Sequence, residues 1–181
     1  SSLHNLYFTG IGSAITIATL PPALDRLEIE SGQVMTLPAF PLSLRTLKVN
    51  AADNLVLPPL NEGLERLDIQ DIYSDGLIGS LPSTLRELWL SWIATEIVLP
   101  PLPAGLKVLS IEHVLVPFSM PDVSGTELER LTLYDLHYEF NLNGTVFPPT
   151  LRYLRISDGQ EGLSWIPPLP SGLDSLQVIF C

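Results

Sequence analysis

One cysteine, three histidines and nine basic residues among 181 positions leave this chain poor in reactive side chains. The single cysteine is Cys181, so an internal disulfide is excluded, and no oxidising or reducing compartment is indicated. His4, His113 and His137 are far apart in sequence. There is no His-x-x-x-His pair, no calcium-loop pattern and no glycine-rich phosphate loop, so neither a metal nor a cofactor is expected. No histidine aligns with a nucleophile and a carboxylate, and the chain is read as having no catalytic residues. Nine Lys and Arg against twenty Asp and Glu give a net charge of −11. That excess argues against nucleic acid and anionic membrane as partners and favours a protein with a basic surface. Residues 1–24 contain no charged side chain, yet Pro21-Pro22 and interspersed Gly, Ser and Thr interrupt them. With no basic start either, the stretch is read as neither a signal peptide nor a membrane span.

Leucine is what the chain has in abundance, and it is periodic. The pattern Leu-x-x-Leu-x-(apolar) occurs nine times. Its first column is Leu3, Leu24, Leu44, Leu64, Leu85, Leu106, Leu128, Leu151 and Leu173. Its second is Leu6, Leu27, Leu47, Leu67, Leu88, Leu109, Leu131, Leu154 and Leu176. The third is Phe8, Ile29, Val49, Ile69, Leu90, Ile111, Leu133, Ile156 and Val178, mostly β-branched as a strand favours. First-column leucines are 20 to 23 residues apart. Each repeat also carries an apolar residue followed by proline, as in Leu20-Pro21, Leu99-Pro100 and Ile166-Pro167.

So short a period leaves little room for a return helix. The expected fold is a β-rich solenoid, a leucine-rich-repeat right-handed horseshoe or slab. About nine short parallel strands line its concave side, with extended or 3-10 segments on the convex side and little α-helix. Proline falls in the return segments, outside the parallel ladder, where its missing N–H costs little. Residues 1–181 form a single domain of about eight full repeats plus a final strand. Neither end carries a polar cap, so a fragment of a longer chain, or ends that associate with one another, is expected.

The stretches "LPPLPAGLKVLSI", "LPSTLRELWL" and "FPPTLRYLRI" resemble the short LPX-type leucine-rich repeats of secreted bacterial effectors, and less closely FNIP repeats. The effector resemblance implies a secreted, host-delivered or cell-surface protein. In that group such repeats select substrates for a ubiquitin-ligase domain, which is not in this chain. Those repeats place asparagine three residues after the third column. Here the positions read Ile11, Gly32, Ala52, Ile72, Ile93, Val114, Leu136 and Gly159. The backbone at that corner is expected to be satisfied by longer strands instead.

Strand alternation turns the residues flanking the second and third columns to the concave side. Trp89, Tyr134, Tyr153, Arg130 and Arg155 form the candidate partner-binding patch, with Glu87 and Glu112 beside them. Glu28, Lys48 and Asp68, with Arg26 and Arg66, are expected to form a cross-strand charge ladder. Trp92 and Trp165 fall outside the concave columns and are assigned to convex or core packing. Asn143-Gly144-Thr145 is a glycosylation sequon, read first as a turn. The leading function is a non-enzymatic protein-recognition module. The alternatives are the substrate-recognition part of an effector ligase and a surface-adhesive or purely structural array.

Overall fold

Each Leu-x-x-Leu-x-(apolar) stretch forms a strand, because its alternate residues have one face to bury and β-branched side chains suit the pleat. The computed structural model describes residues 2–11, 15–31, 35–51, 57–73, 78–136, 140, 142–158 and 165–180. His137 and Cys181 lie outside these, as do Gly32, Ala52 and Gly159 of the corner column. The strands are β1 (Asn5–Ile11), β2 (Ile15–Thr16), β3 (Arg26–Ser31), β4 (Met35–Thr36), β5 (Thr46–Ala51) and β6 (Arg66–Ile72). They continue as β7 (Glu87–Ile93), β8 (Val108–Val114), β9 (Arg130–Leu136), β10 (Tyr153–Asp158) and β11 (Ser175–Phe180). Nine of them form one parallel sheet, ordered β1-β3-β5-β6-β7-β8-β9-β10-β11. The chain is thus a β-solenoid, and no helix occurs among the described residues. β2 and β4 form a separate parallel pair in the return segments of the first coils, which the sequence reading did not anticipate.

The register sets leucine on leucine, from Leu27 through Leu47, Leu67, Leu88, Leu109 and Leu131 to Leu154. In the seven inner coils all three apolar columns are fully buried, whereas Leu3 and Leu176 in the outermost coils are 43% and 45% exposed. One coil cannot enclose its own leucines; each is covered by the next. From the return side, Leu37, Phe40, Val123, Phe140, Leu142 and Phe147 close the core.

The prolines have a second role beyond occupying the return path. Leu24, Leu44, Leu85, Leu106, Leu151 and Leu173 each donate their N–H to the carbonyl of a proline three residues earlier, at 3.0–3.1 Å. Proline keeps that acceptor while lacking a donor of its own, so it suits the first position of the turn that launches each strand.

The coils are stapled in two alternating ways at this turn. In one kind, a hydroxyl just before the first-column leucine reaches back to the preceding coil. Ser43 donates to the Leu24 carbonyl (2.6 Å), Thr84 to Leu64 (2.8 Å) and Thr150 to Leu128 (2.9 Å). In the other kind that position is glycine, and an arginine of the preceding coil donates to its carbonyl. The pairs are Arg45 to Gly63 (2.7 Å), Arg86 to Gly105 (2.8 Å) and Arg152 to Gly172 (2.6 Å). Ser43-Leu44-Arg45 is thus followed by Gly63-Leu64-Glu65, then Thr84-Leu85-Arg86, then Gly105-Leu106-Lys107. Glycine leaves the arginine room to reach: a Cβ on Gly105 or Gly172 would meet the guanidinium at 1.7 or 2.2 Å.

Candidate functional site

Simple alternation fails at one place, and the failure shapes the site. In β7 Leu88 and Leu90 point inward, but Ser91 and Trp92 both point away from the core before Ile93 is buried again. The residue that breaks the alternation has positive φ: Asp71 at 56°, Trp92 at 55°, His113 at 53° and Asp135 at 56°. These four lie on consecutive strands β6 to β9, and among the described residues no other non-glycine residue has positive φ. Gly10 makes the same turn in β1 without the penalty of a Cβ. β10 runs without it, so the register between β9 and β10 slips by one residue past Ile156.

Left-handed backbone costs a residue with a side chain about 1–2 kcal/mol. What offsets it is the next residue. Ile72, Ile93, Val114 and Leu136 are turned into the core, each no more than 2% exposed, and burying such a side chain contributes about 1.5–3 kcal/mol. A fourth apolar column therefore stands where the resembling repeats carry asparagine. The backbone at the corner is satisfied by the ladder itself, with Ala94 N–H donating to Ile72 O (2.9 Å) and Leu115 N–H to Ile93 O (2.8 Å).

The bulges carry a row of polar and aromatic side chains along one rim of the outward face. Trp92 is 46% exposed on β7 and not packed in the core or on the convex side, as the sequence reading had placed it. Strict alternation would have turned it inward; the left-handed residue turns it out. Its indole stacks on the His113 ring, centroids 4.4 Å apart and 13° from parallel. His113 Nδ1 lies 2.7 Å from Asp135 Oδ2, and the ring meets Tyr134 edge-on at 5.6 Å.

The expected patch residues fall on the outward face in three pairings of ring and guanidinium. Arg66 lies over Trp89 (5.1 Å), Arg155 over Tyr134 (4.3 Å) and Arg130 over Tyr153 (4.5 Å). Glu87 links the first group, accepting from Arg66 Nη1 (3.0 Å) and the Trp89 indole N–H (3.3 Å). Glu112 accepts from Ser110 Oγ at 2.6 Å. The Nε–H of Arg155 is buried and has no acceptor among the described residues. Between these groups Ser110 and Thr132, also expected on the open face, are buried, flanked in register by Trp89 and Arg155.

The charge ladder is realised differently from expectation. Glu28, Lys48 and Asp68 do adjoin in register, but among the described residues Lys48 makes no ion pair. Arg26 instead pairs with Glu28 on its own strand, which raises its pKa chiefly through that hydrogen bond. Arg66 pairs with Asp68 on its own strand (3.9 Å) and Glu87 on the next (3.0 Å). Two further ion pairs stand beside the turns, Arg45–Glu65 at 3.8 Å and Lys107–Glu129 at 2.7 Å. Its bond to Glu129 raises the Lys107 pKa above the ordinary value.

Elsewhere, Asn143 is exposed in a turn with Gly144 at φ 78°, as the sequon's plain reading anticipates. Trp165 lies on a return segment, exposed. Among the described residues no group of three or more His, Cys, Asp or Glu is placed to hold a metal ion. No helix among them is long and apolar enough to cross a membrane. No protein-family model matches the chain, and comparison with curated proteins and with solved structures finds no match.

Proposed function

We propose that this chain is a non-enzymatic recognition module that binds another protein with the outward face of its nine-stranded sheet. One observation carries the reading. The residue types that anchor protein interfaces, Trp89, Tyr134, Tyr153, Arg130 and Arg155, stand on that face already paired ring to guanidinium. A side chain held by its neighbour before binding loses less rotamer freedom on contact, which lowers the entropic cost of association. Glu87 and Glu112 lie among them, and with a net charge of −11 they favour a partner with a basic surface. The backbone beneath is one rigid ladder, so the anchors keep fixed spacing from coil to coil.

The test is affinity capture from a relevant extract, repeated with Trp89→Ala, Arg130→Glu and, on the return side, Val98→Ser as control. The reading requires that the first two lose the captured protein and that Val98→Ser keeps it. Capture that survives both face variants removes this surface as the binding site.

A further inference from the structure

The row Asp71, Trp92, His113, Asp135 contains one slot that is filled and one that is open. Order in the sheet fixes the arrangement: β6 carries Asp71, β7 Trp92, β8 His113 and β9 Asp135. All four residues share one backbone conformation, within 3° in φ, so their Cα–Cβ bonds project alike. Neighbouring members stand about one strand spacing, ~4.8 Å, apart. On the β8 side of the Trp92 indole, the slot is occupied. The His113 ring lies flat on the indole with the Asp135 carboxylate behind it, at 2.7 Å from Nδ1. On the β6 side the neighbour at the same place in the row is Asp71, a shorter side chain with no ring to cover the indole. The register confirms the match: Gln70 pairs with Ser91 and Ile72 with Ile93, leaving Asp71 and Trp92 side by side. Among the described residues no cation forms an ion pair with Asp71.

From this geometry we propose that the open face of Trp92, backed by Asp71, receives an arginine side chain of the bound partner. The inference rests on the recognition reading above and names the chemistry of one contact within it. A guanidinium is planar and weakly hydrated, and it both stacks on an indole face and pairs with a carboxylate. The slot supplies both partners about one strand spacing apart, on a rim where the indole is 46% exposed. His113 already shows that a flat nitrogen-bearing ring stacks on this indole. The strong negative charge of the whole chain draws basic segments toward it.

The probe is the blocked tripeptide acetyl-Gly-Arg-Gly-amide, titrated against the 15N-labelled protein while the indole N–H signals are followed. Its neutral isostere, with citrulline in place of arginine, is titrated in parallel. The Trp92 signal, identified by its loss in Trp92→Asn, is expected to shift with the arginine peptide and stay still with the citrulline one. Asp71→Asn keeps a residue type that tolerates positive φ, so its fold is retained, and it is expected to weaken binding at least tenfold. Trp165→Phe, on a return segment away from the sheet face, is expected to change it less than twofold. Equal shifts with both peptides, no effect of Asp71→Asn, or no shift at Trp92 would each overturn the proposal. The titration needs no partner protein, so its failure is distinct from failure of capture by the Trp89 and Arg130 variants.

Discussion

Replacing Gly63 and Gly105 by alanine, one at a time, separates two costs that the fold combines at its turns. Neither glycine has positive φ, so alanine fits both backbones and stabilises by about 0.4–1 kcal/mol through a less free unfolded chain. The native-state costs differ. At Gly105 the new Cβ meets only the Arg86 guanidinium, with Nη1 at 1.7 Å and Cζ at 2.8 Å. That group is the end of a long exposed side chain and swings away, giving up one exposed hydrogen bond to the Gly105 carbonyl, worth about 0.5–1.5 kcal/mol. The sum lies within about 1 kcal/mol of zero. At Gly63 the Cβ would also lie 2.5 Å from the Leu42 carbonyl oxygen, which belongs to the backbone of the preceding coil's turn. Shifting packed backbone costs about 1–3 kcal/mol beyond the lost Arg45 bond. Gly63→Ala should therefore be less stable than Gly105→Ala by about 2 kcal/mol, a difference of about 4–8 °C in Tm for a chain of this size. Urea unfolding followed by tryptophan fluorescence and circular dichroism measures both. Arg86→Ala supplies the check: its cost should vanish in the Gly105→Ala background. Equal loss in the two alanine variants, or an Arg86→Ala cost unchanged in that background, would refute the staple.

Ile93→Ala removes a member of the fourth core column and should cost about 2–4 kcal/mol by urea unfolding, as much as truncating a leucine of the spine. Trp92→Val should cost more than Trp92→Asn, because a β-branched side chain suits φ near 55° worst, and thermal melts of the two variants decide it. Asp122 accepts the Ser124 N–H at 2.9 Å, which holds its carboxyl below the ordinary aspartate value of 3.8. Its stabilising contribution is then complete above pH 3.8 and lost as pH falls through the lowered value; carboxyl chemical shifts read by NMR during acid titration should show Asp122 protonating below the ordinary aspartate value. Lys107 has the opposite sign: its bond to Glu129 contributes below the ordinary lysine value of 10.5 and is lost as pH rises past the raised one, so Lys107→Met should flatten the alkaline limb of a stability profile.

The leucine columns made the sheet, its parallel sense and its register legible, since eighteen leucines at one spacing have a single common face to bury. The bulge was written in the sequence as well. Asp71-Ile72, Trp92-Ile93, His113-Val114 and Asp135-Leu136 each put an aliphatic residue one place later than period-two alternation allows. Taken as a missing asparagine, that signal misplaced Trp92; taken as a fourth core column, it finds the rim. The ring and guanidinium pairings were not legible, because they depend on which rotamers long side chains choose across neighbouring strands. The return segments were legible only as proline-rich paths; that a proline carbonyl opens the turn before six of the strands follows from backbone geometry alone.

Each staple joins one coil to the next, so the place of a cut decides whether donor and acceptor still match. Excising Leu44 through Gly63 removes Arg45 together with the glycine it reaches and leaves the Ser43 and Thr84 staples with their acceptors. Excising Leu47 through Arg66 instead leaves Arg45 facing Thr84. The coil around Glu127-Leu128-Glu129 interrupts the alternation, and the chain bridges it with Lys107–Glu129 and with Glu127 N–H bonded to the Ala104 carbonyl at 2.7 Å. Growth or trimming of such an array, by recombination or at the bench, therefore keeps its staples when the joins fall at the first-column leucines.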